Sequence, residues 1–445
     1  MSEKIVVGLD IGTTKVVAIV GRKNEFGKID ILGKGEAVST GVSRGMVSNI
    51  PKTEDAIRIA VAEARSNSDI DIRVVHVGIA GQHIKSTPNR SILVRPHVDS
   101  FINQADLDRL ADDMYKIALA PGEQIIHVLP QDYTVDGEAG IKDPLGLAGL
   151  RLEGNFHVIT GNITAAKNIY QCVTRAGLHV DSLILEPLAS SDAVLTDEEL
   201  EAGVVLVDIG GGTTDLAIFH DGVIRHTAII PFGGNVITDD IQEGCMVMRN
   251  QAELLKTRFG SAIPEENTNE MVVVPGLRGK EPKEISVRNL ARIINARMDE
   301  IISSVNYEIK ASGLEKKLIG GIVLTGGGSQ LKHLPQLVEF MTGMDVRVGY
   351  PDEHLAMGLV AEVKSPAYAT GIGLVMKGLN LGKAQSNDRR QNESPSMPKE
   401  EQEEITAPKS IDRKPKSPGL MSRLADSFKQ LFEDEELKDY KNDKA

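Results

Sequence analysis

Two periods of hydrophobic patterning alternate along this chain. Short Val- and Ile-rich runs end in glycine, and between them lie stretches with apolar residues three and four positions apart. Two distant segments share one order. Residues 5–29 read IVVGLDIGTTKVVAIVGRKNEFGKI, and residues 203–224 read GVVLVDIGGGTTDLAIFHDGVI. Each predicts a β-branched strand, a tight Gly/Thr turn, a second strand and a further Gly turn. A repeat at such wide spacing is not a solenoid. It predicts two domains of similar fold that face each other.

Other segments fill in an α/β pattern. Helices are predicted at residues 53–66, with Thr53 as N-cap and Ile57, Ala60, Val61 and Ala64 on one face, at 105–118, and at 164–175, closed by Gly177. Residues 285–311 form one long helix or two, ending at Gly313. Strands are predicted at 74–81, 124–136 and 180–185, and residues 320–331 read as strand, Gly-rich loop, helix. Strands alternating with helices imply mixed sheets covered by helices. Near Gly382 the composition changes. Residues 384–418 are rich in Ser, Pro, Glu, Lys, Asn and Gln and poor in large apolar residues, which predicts a disordered linker. Apolar residues return after it.

Composition narrows the function classes. The 445 residues allow roughly two to four domains. With no Trp and only 4% aromatics, the core must be built from Val, Ile, Leu, Ala and Met. A net charge of −13 argues against a general nucleic-acid binder, so no nucleic-acid partner is expected. Cys172 and Cys245 belong to no metal-spaced cluster and suit a reducing cytoplasm. No secretory leader and no apolar run long enough to span a membrane are read in the sequence.

The repeated hairpins carry the candidate chemistry. Backbone N–H groups at a tight turn bind phosphate oxygens, glycine lets the backbone approach closely, and Thr hydroxyls add donors. Gly12, Thr13 and Thr14 would face a triphosphate from one side, with Lys15 adding positive charge. Gly210, Gly211, Gly212, Thr213 and Thr214 would face it from the other. Asp10 and Asp208 would be repelled by phosphate, so their role is to hold Mg²⁺ through its waters. Ordinary Gly-rich turns are the plain alternative, which the duplication argues against. No Walker loop occurs, and TGGGSQL at 325–331 lacks the Rossmann order. That turn can seat a flat ring or a phosphate, or serve only tight helix–strand packing.

The order DxGTTK, LxxEP, DxGGGTTD, GG…TxD, TGGG, AxGxG resembles the actin/Hsp70/sugar-kinase ATPase superfamily across nearly all of residues 5–379. Within it, GVSRGMVSN at 41–49, the block 84–161 with QIIHVLPQDYTVDG and GIKDPLGLAGLRLEG, and PFGGNVITDDI resemble the FtsA family of bacterial cell-division proteins. The resemblance implies an actin-like α/β fold: two duplicated RNase H-like halves around a nucleotide cleft, an inserted subdomain and a disordered C-terminal tail. The implied parts are 1–83, 163–198 and 360–382 as subdomain 1A, and 84–162 as the insertion 1C. Residues 199–231 and 307–359 make subdomain 2A, and 232–306 make 2B. A linker at 383–417 and an amphipathic helix at 418–436 complete the chain. It also implies that Gly326, Gly327, Gly328 and Ser329 hold the adenosine, that Glu253 and Lys256 contact ribose and adenine, and that Glu186 positions the attacking water. Glu186 could equally be a polar hinge residue, and Glu253 and Lys256 a solvated helix face. The implied cofactors are ATP and Mg²⁺, with at most a weak Mg-dependent ATPase activity.

The tail adds a surface. On a helix, Leu420, Met421, Leu424, Phe428, Leu431 and Phe432 fall within an arc of about 120°. Lys409, Arg413, Lys414 and Lys416 precede them and suit anionic lipid. Such a helix could instead pack on the protein's own core or on a partner; the tether before it favours the membrane. The expected function is an ATP-binding protein that forms actin-like filaments on the cytoplasmic side of the inner membrane at the division septum. The resemblance to the FtsA family implies that it would hold the C-terminal peptide of the tubulin-like FtsZ through residues 232–306 and help recruit later divisome membrane proteins. Arg292 and Arg297 could receive that acidic peptide or be solvated charges. The alternative is a small-molecule (sugar-type) kinase using the same cleft. It needs an Asp poised over a substrate hydroxyl, and no motif for one is read. A chaperone-like ATPase would need a substrate domain after the core.

Overall fold

Strands that are apolar along most of their length must be covered on both faces. Val204–Ile209 is buried at every position, and Ile5–Ile11 and Lys15–Lys23 are buried along most of their lengths. These strands lie inside two mixed sheets in the computed structural model, which describes residues 4–96, 101–264, 269–276 and 281–391. One compact unit spans Met1–Leu379.

The two sheets repeat one topology. The first orders its strands His179–Leu185, Val74–Ile79, Ile5–Ile11, Lys15–Lys23, Ile29–Val38 and Leu355–Gly358. The second orders them Val346–Val348, Ile322–Thr325, Val204–Ile209, Thr214–His220 and Val223–Ile230. In each, the first hairpin is antiparallel and its first strand runs parallel to the next strand to form. The expected duplication is therefore real at the level of strand order.

Local chemistry explains the helices. Asn49, not Thr53, caps the helix Ile50–Ser68, accepting from Lys52 N–H at 3.0 Å. Pro51 fits the first turn, where no N–H is needed. Thr53 is fully buried inside the helix, its hydroxyl donating to the Asn49 carbonyl at 2.9 Å. Ala60 and Ala64 of this helix meet Gly33 and Gly35 of the strand Ile29–Val38, and a Cβ at Gly35 would strike the Ala60 carbonyl. The second expected helix is Gln104–Met114, with an Asn103–Asp106 capping box. The third is Ile163–Arg175, capped by Asn162. The long helix is single, Val287–Ala311, capped by Ser286, and Ile285 belongs to the strand before it.

Residues 84–162 form a separate four-stranded antiparallel sheet, ordered Lys85–Val94, Arg151–Asn162, Glu123–Val135, Glu138–Ile141. Helix Gln104–Met114 covers it over a core of Leu110, Met114, Leu152, Phe156 and Tyr133. The Tyr133 and Phe156 rings meet edge to face, 6.5 Å apart.

Two expected boundaries change. Leu355–Gly358 pairs in parallel with Ile29–Val38 and so joins the first sheet, not subdomain 2A. Gly358, at φ +91°, allows the backbone approach to Ile31 that this pairing needs. The final helix, Ala369–Gln391, runs through the start of the expected linker, because Lys383, Ala384, Gln385 and the arginines that follow are good helix formers. The rest of the linker call, 392–417, and the amphipathic helix call, 418–436, lie outside the described residues. Among the described residues, no helix is long and apolar enough to cross a membrane.

Helix Glu186–Val194 crosses the final helix where Gly373 meets the Ala189 backbone, leaving no room for a Cβ. Gly177 by contrast has open space around it but φ +80°. Gly373→Ala is expected to destabilise by roughly 1–3 kcal/mol through overpacking, and Gly177→Ala by about 1 kcal/mol through backbone strain. Paired thermal unfolding curves check this. A smaller shift for Gly373→Ala than for Gly177→Ala would contradict the crossing.

Candidate functional site

The tips of the two repeated hairpins meet. Thr13 and Thr14 on the first pack against Gly212 and Gly211 on the second, and a Cβ on Gly212 would lie 2.5 Å from Thr13 Oγ1. Only glycine permits this approach. The first tip is fixed by Gly45 N–H donating to Thr13 Oγ1 at 3.1 Å and Ser39 N–H donating to the Thr14 carbonyl at 3.0 Å. In the second, Gly210 N–H donates to the Thr213 carbonyl and Thr214 Oγ1 to the Phe232 carbonyl, both at 2.9 Å. The helix Gly234–Cys245 starts against this tip. Gly234 and Asn235 N–H donate to the Gly210 and Gly211 carbonyls at 2.9 and 2.8 Å.

Asp10 and Asp208 sit one residue before the ends of their strands, at equivalent places in the repeat. Asp208 Oδ2 accepts from Ser190 Oγ at 2.8 Å and Thr370 Oγ1 at 3.3 Å, one hydroxyl from each of the crossing helices. Asp215 pairs across the hairpin with Asp208. Its Oδ2 accepts from Thr213 Oγ1 at 3.2 Å, while its buried Oδ1 has no partner. Glu186 begins its helix beside Gly78, where a Cβ would lie 2.9 Å from Glu186 Cγ.

Four carboxyl groups thus share a shielded site, and each resists ionisation. Burial, then repulsion from Asp208, pushes Asp215 up to about 8. Burial raises Asp10 to about 7, with Asp208 adding and Lys15 opposing. Glu186 is raised well above its usual value, by burial and then by Asp10, Asp215 and Asp208. Asp208 is raised by burial, against its two hydroxyl donors. Lys15 Nζ lies 3.5 Å from the Tyr368 ring centroid, and burial lowers its pKa against the pull of Glu36 and Asp10.

The Gly-rich turn closes the second half. Gly326, at φ +80°, lies against Asp208, and its N–H donates to the Pro366 carbonyl at 3.2 Å. Residues Gly327–Gln330 form a 3₁₀ turn, and the α-helix begins only at Leu334, so the turn does not open that helix directly. Ser329 is buried, with its hydroxyl donated to the Gly326 carbonyl at 2.7 Å. Gly328 lies against Ile209, and a Cβ at Gly327 would meet only Ala367 Cβ, at 4.0 Å.

Glu253 and Lys256 lie on helix Arg249–Phe259. Lys256 Nζ donates to the Gly234 carbonyl, Thr238 Oγ1 and Glu253 Oε2 at 2.8–2.9 Å, tying this helix to the start of helix Gly234–Cys245. Arg297 is engaged by Asp240 at 2.6 and 2.9 Å and by Glu300, while Arg292 is exposed.

The structure brings Asp10, the two tips, Glu186, Asp208 and Gly326 into one cleft. Sequence reasoning omitted Asp215, although the second hairpin motif ends on it. Ser190, Thr370 and Tyr368 carried no local signal. Because the folded site holds protons that an unfolded chain would release, this cluster's contribution to stability falls as pH rises from the ordinary carboxylate range through about 8. Asp215→Asn is therefore expected to flatten the loss of thermal stability of the nucleotide-free protein between about pH 5 and about pH 9. Parallel curves for the two proteins would contradict the cluster.

Residues 205–373 match the family model described as cell division protein FtsA, and residues 81–160 match the one described as the SHS2 domain inserted in FtsA. The chain is 42% identical over 379 residues to the cell division protein FtsA of Pseudomonas aeruginosa, covering 85% of this chain and 90% of that one. It is 41% identical over 369 residues to that of Neisseria meningitidis serogroup B, covering 82% and 88%. Among solved structures, a PilM-PilN type IV pilus biogenesis complex is similar in fold, with a TM-score of 0.61 at 16% identity, over 84% of this chain and 98% of that one. With its actin-like fold, its inserted sheet and these relatives, the chain belongs to the FtsA family of cell division proteins.

Proposed function

We propose that this cell-division protein binds ATP with Mg²⁺ between the two hairpin tips and uses it mainly as a ligand for assembly. The observation that carries this reading is the meeting of Thr13–Thr14 with Gly211–Gly212 beside four carboxyl groups. Phosphate oxygens inserted there would take N–H and hydroxyl donors from both halves at once. The acid cluster, with its unpartnered Asp215 Oδ1, suits a hydrated cation held through waters by Asp10 and Asp208. Among the described residues no three ligating groups converge on a bare metal ion. When bound, Mg²⁺ would neutralise phosphate charge. Glu186, at the start of its helix beside the tips, would be the residue to orient a water, supporting at most weak hydrolysis. Gly326 to Ser329 receive the adenosine, with Glu253 and Lys256 at its edge.

On this reading the protein assembles with its own copies into actin-like filaments. Its tail residues Leu420, Met421, Leu424, Phe428, Leu431 and Phe432 anchor it to anionic lipid on the cytoplasmic face of the inner membrane. Many weak anchors along a filament act together. The region 232–306 holds the FtsZ C-terminal peptide at the septum, where later divisome proteins join. With Arg297 already paired to Asp240, Arg292 is the freer of the two charges for that peptide.

Titration with a fluorescent ATP analogue tests the cleft. Asp10→Asn is expected to weaken Mg-dependent binding by about tenfold or more, equivalent to ~1.4 kcal/mol, without lowering the melting temperature. Equal affinity with and without Mg²⁺ would sink the cation role. For the anchor, the full chain is expected to pellet with anionic vesicles and ATP, and a chain lacking residues 419–445 to stay in solution. Equally poor pelleting of both defeats the anchor, and ATP-dependent phosphorylation of a hexose would favour the kinase instead.

A further inference from the structure

The inserted sheet touches the cleft at one unusual point. Strand His179–Leu185 is an edge strand of the first sheet, so the N–H groups on its outer side have no strand partner. Leu185 is fully buried, and its N–H donates to His127 Nε2 at 3.0 Å. His127 belongs to the inserted strand Glu123–Val135. The register of that strand against Arg151–Asn162 slips between Ile159, opposite His127, and Thr160, opposite Ile125. One extra residue, Ile126, therefore bulges beside His127, the kind of irregularity that re-aims a neighbouring side chain. Leu185 is also the N-cap of the helix that starts at Glu186, and it lacks a side-chain cap. The imidazole thus fixes the backbone one residue before the cleft carboxylate.

Two further contacts link the inserted sheet to the second half. Lys142 Nζ donates to Glu201 at 2.7 Å, and Arg225 approaches Asp132 at 3.4 Å. On the inserted strand itself, Leu129 packs into the core shared by both halves. The insertion is therefore seated on the machinery of the cleft and is not a free appendage.

We propose that His127 is a positioning residue for Glu186, and that through the Leu185 N–H it couples the seating of the inserted sheet to nucleotide in the cleft. This rests on the nucleotide reading above. Burial holds the imidazole pKa down to about 4, so Nε2 stays available to accept at neutral pH. A buried N–H left without a partner is costly, so this contact is strongly preferred over its loss. Any shift of Glu186 toward a bound phosphate and its water pulls on the Leu185 turn and hence on the inserted strand.

Hydrogen exchange of the full-length protein, with and without Mg-ATP, tests this. Without nucleotide, His127→Ala is expected to exchange its 183–188 amides about fivefold to tenfold faster than wild type, the weight of one hydrogen bond. His127→Gln, whose side-chain carbonyl can accept in the same place, is expected to restore wild-type exchange. With Mg-ATP, the wild type and His127→Gln are expected to slow exchange in both 183–188 and the inserted strand 123–135. At saturating Mg-ATP, His127→Ala is expected to lose the slowing in 123–135. The proposal falls if His127→Ala exchanges like wild type, if Gln fails as Ala does, or if ATP slows 183–188 but never 123–135. Failure of the nucleotide reading looks different: the wild type then binds no ATP analogue, while the nucleotide-free comparison still decides the His127 contact.

Discussion

Crowding of like charge in a shielded cleft is the constraint around which this molecule is arranged. Asp10, Glu186, Asp208 and Asp215 each resist ionisation because burial withholds water, and for Asp10, Glu186 and Asp215 neighbouring carboxylates add repulsion. Asp208 is the point where separate pieces of chain converge. It sits one residue before the end of the central strand of the second sheet, takes a hydroxyl from each crossing helix, and lies against the Gly326 turn. A change in charge at this point is felt by both halves, because Ser190 and Thr370 belong to the helices that join them.

The duplicated topology explains why the halves differ where they do. In the first half, the third strand to form, Ile29–Val38, leads through one helix, Ile50–Ser68, to the fourth. At the same step, the second half inserts the helices and hairpin between Ile230 and Ile322. The first half places its own insertion one step later, between Val74–Ile79 and helix Ile163–Arg175. That offset carries the inserted strand Glu123–Val135 to the edge strand bearing Leu185, and so beside the cleft.

The legible parts of this design were the local ones. Both hairpins could be read because strand, glycine turn and Asp lie within a dozen residues, and the insertion announced itself as a block. Ser190 and Thr370 could not be read as partners of Asp208, because they are ordinary hydroxyls on helices distant in sequence from each other. The cap of the first helix is hidden from the sequence for a different reason. Thr53 is a good capping residue, but Pro51 demands an early position in the first turn, which shifts the cap to Asn49. Past Gly382, low hydrophobicity suggested a linker, yet helix propensity is a backbone property and carries the helix on to Gln391. Leu355–Gly358 had too few residues to declare its sheet.

Charge balance also bears on how a nucleotide would enter. A triphosphate adds several negative charges to a site already holding four acids. Lys15 acts on the acids, its charge shared with Glu36 and Asp10 while it lies over Tyr368, and Lys34 lies over the same ring and pairs with Glu36. Two lysines shared with Glu36 do not offset that total. Either the acids stay protonated, which their raised pKa values favour in the empty cleft, or a divalent cation arrives with the phosphates and lets them ionise. Under the proposed function, nucleotide and Mg²⁺ therefore enter as one unit, and their arrival changes the protonation of the residues that join the two halves. On that reading such a ligand would alter the relation between the halves on binding, before any bond is cleaved. That is the property an assembly switch requires and a fast hydrolase does not.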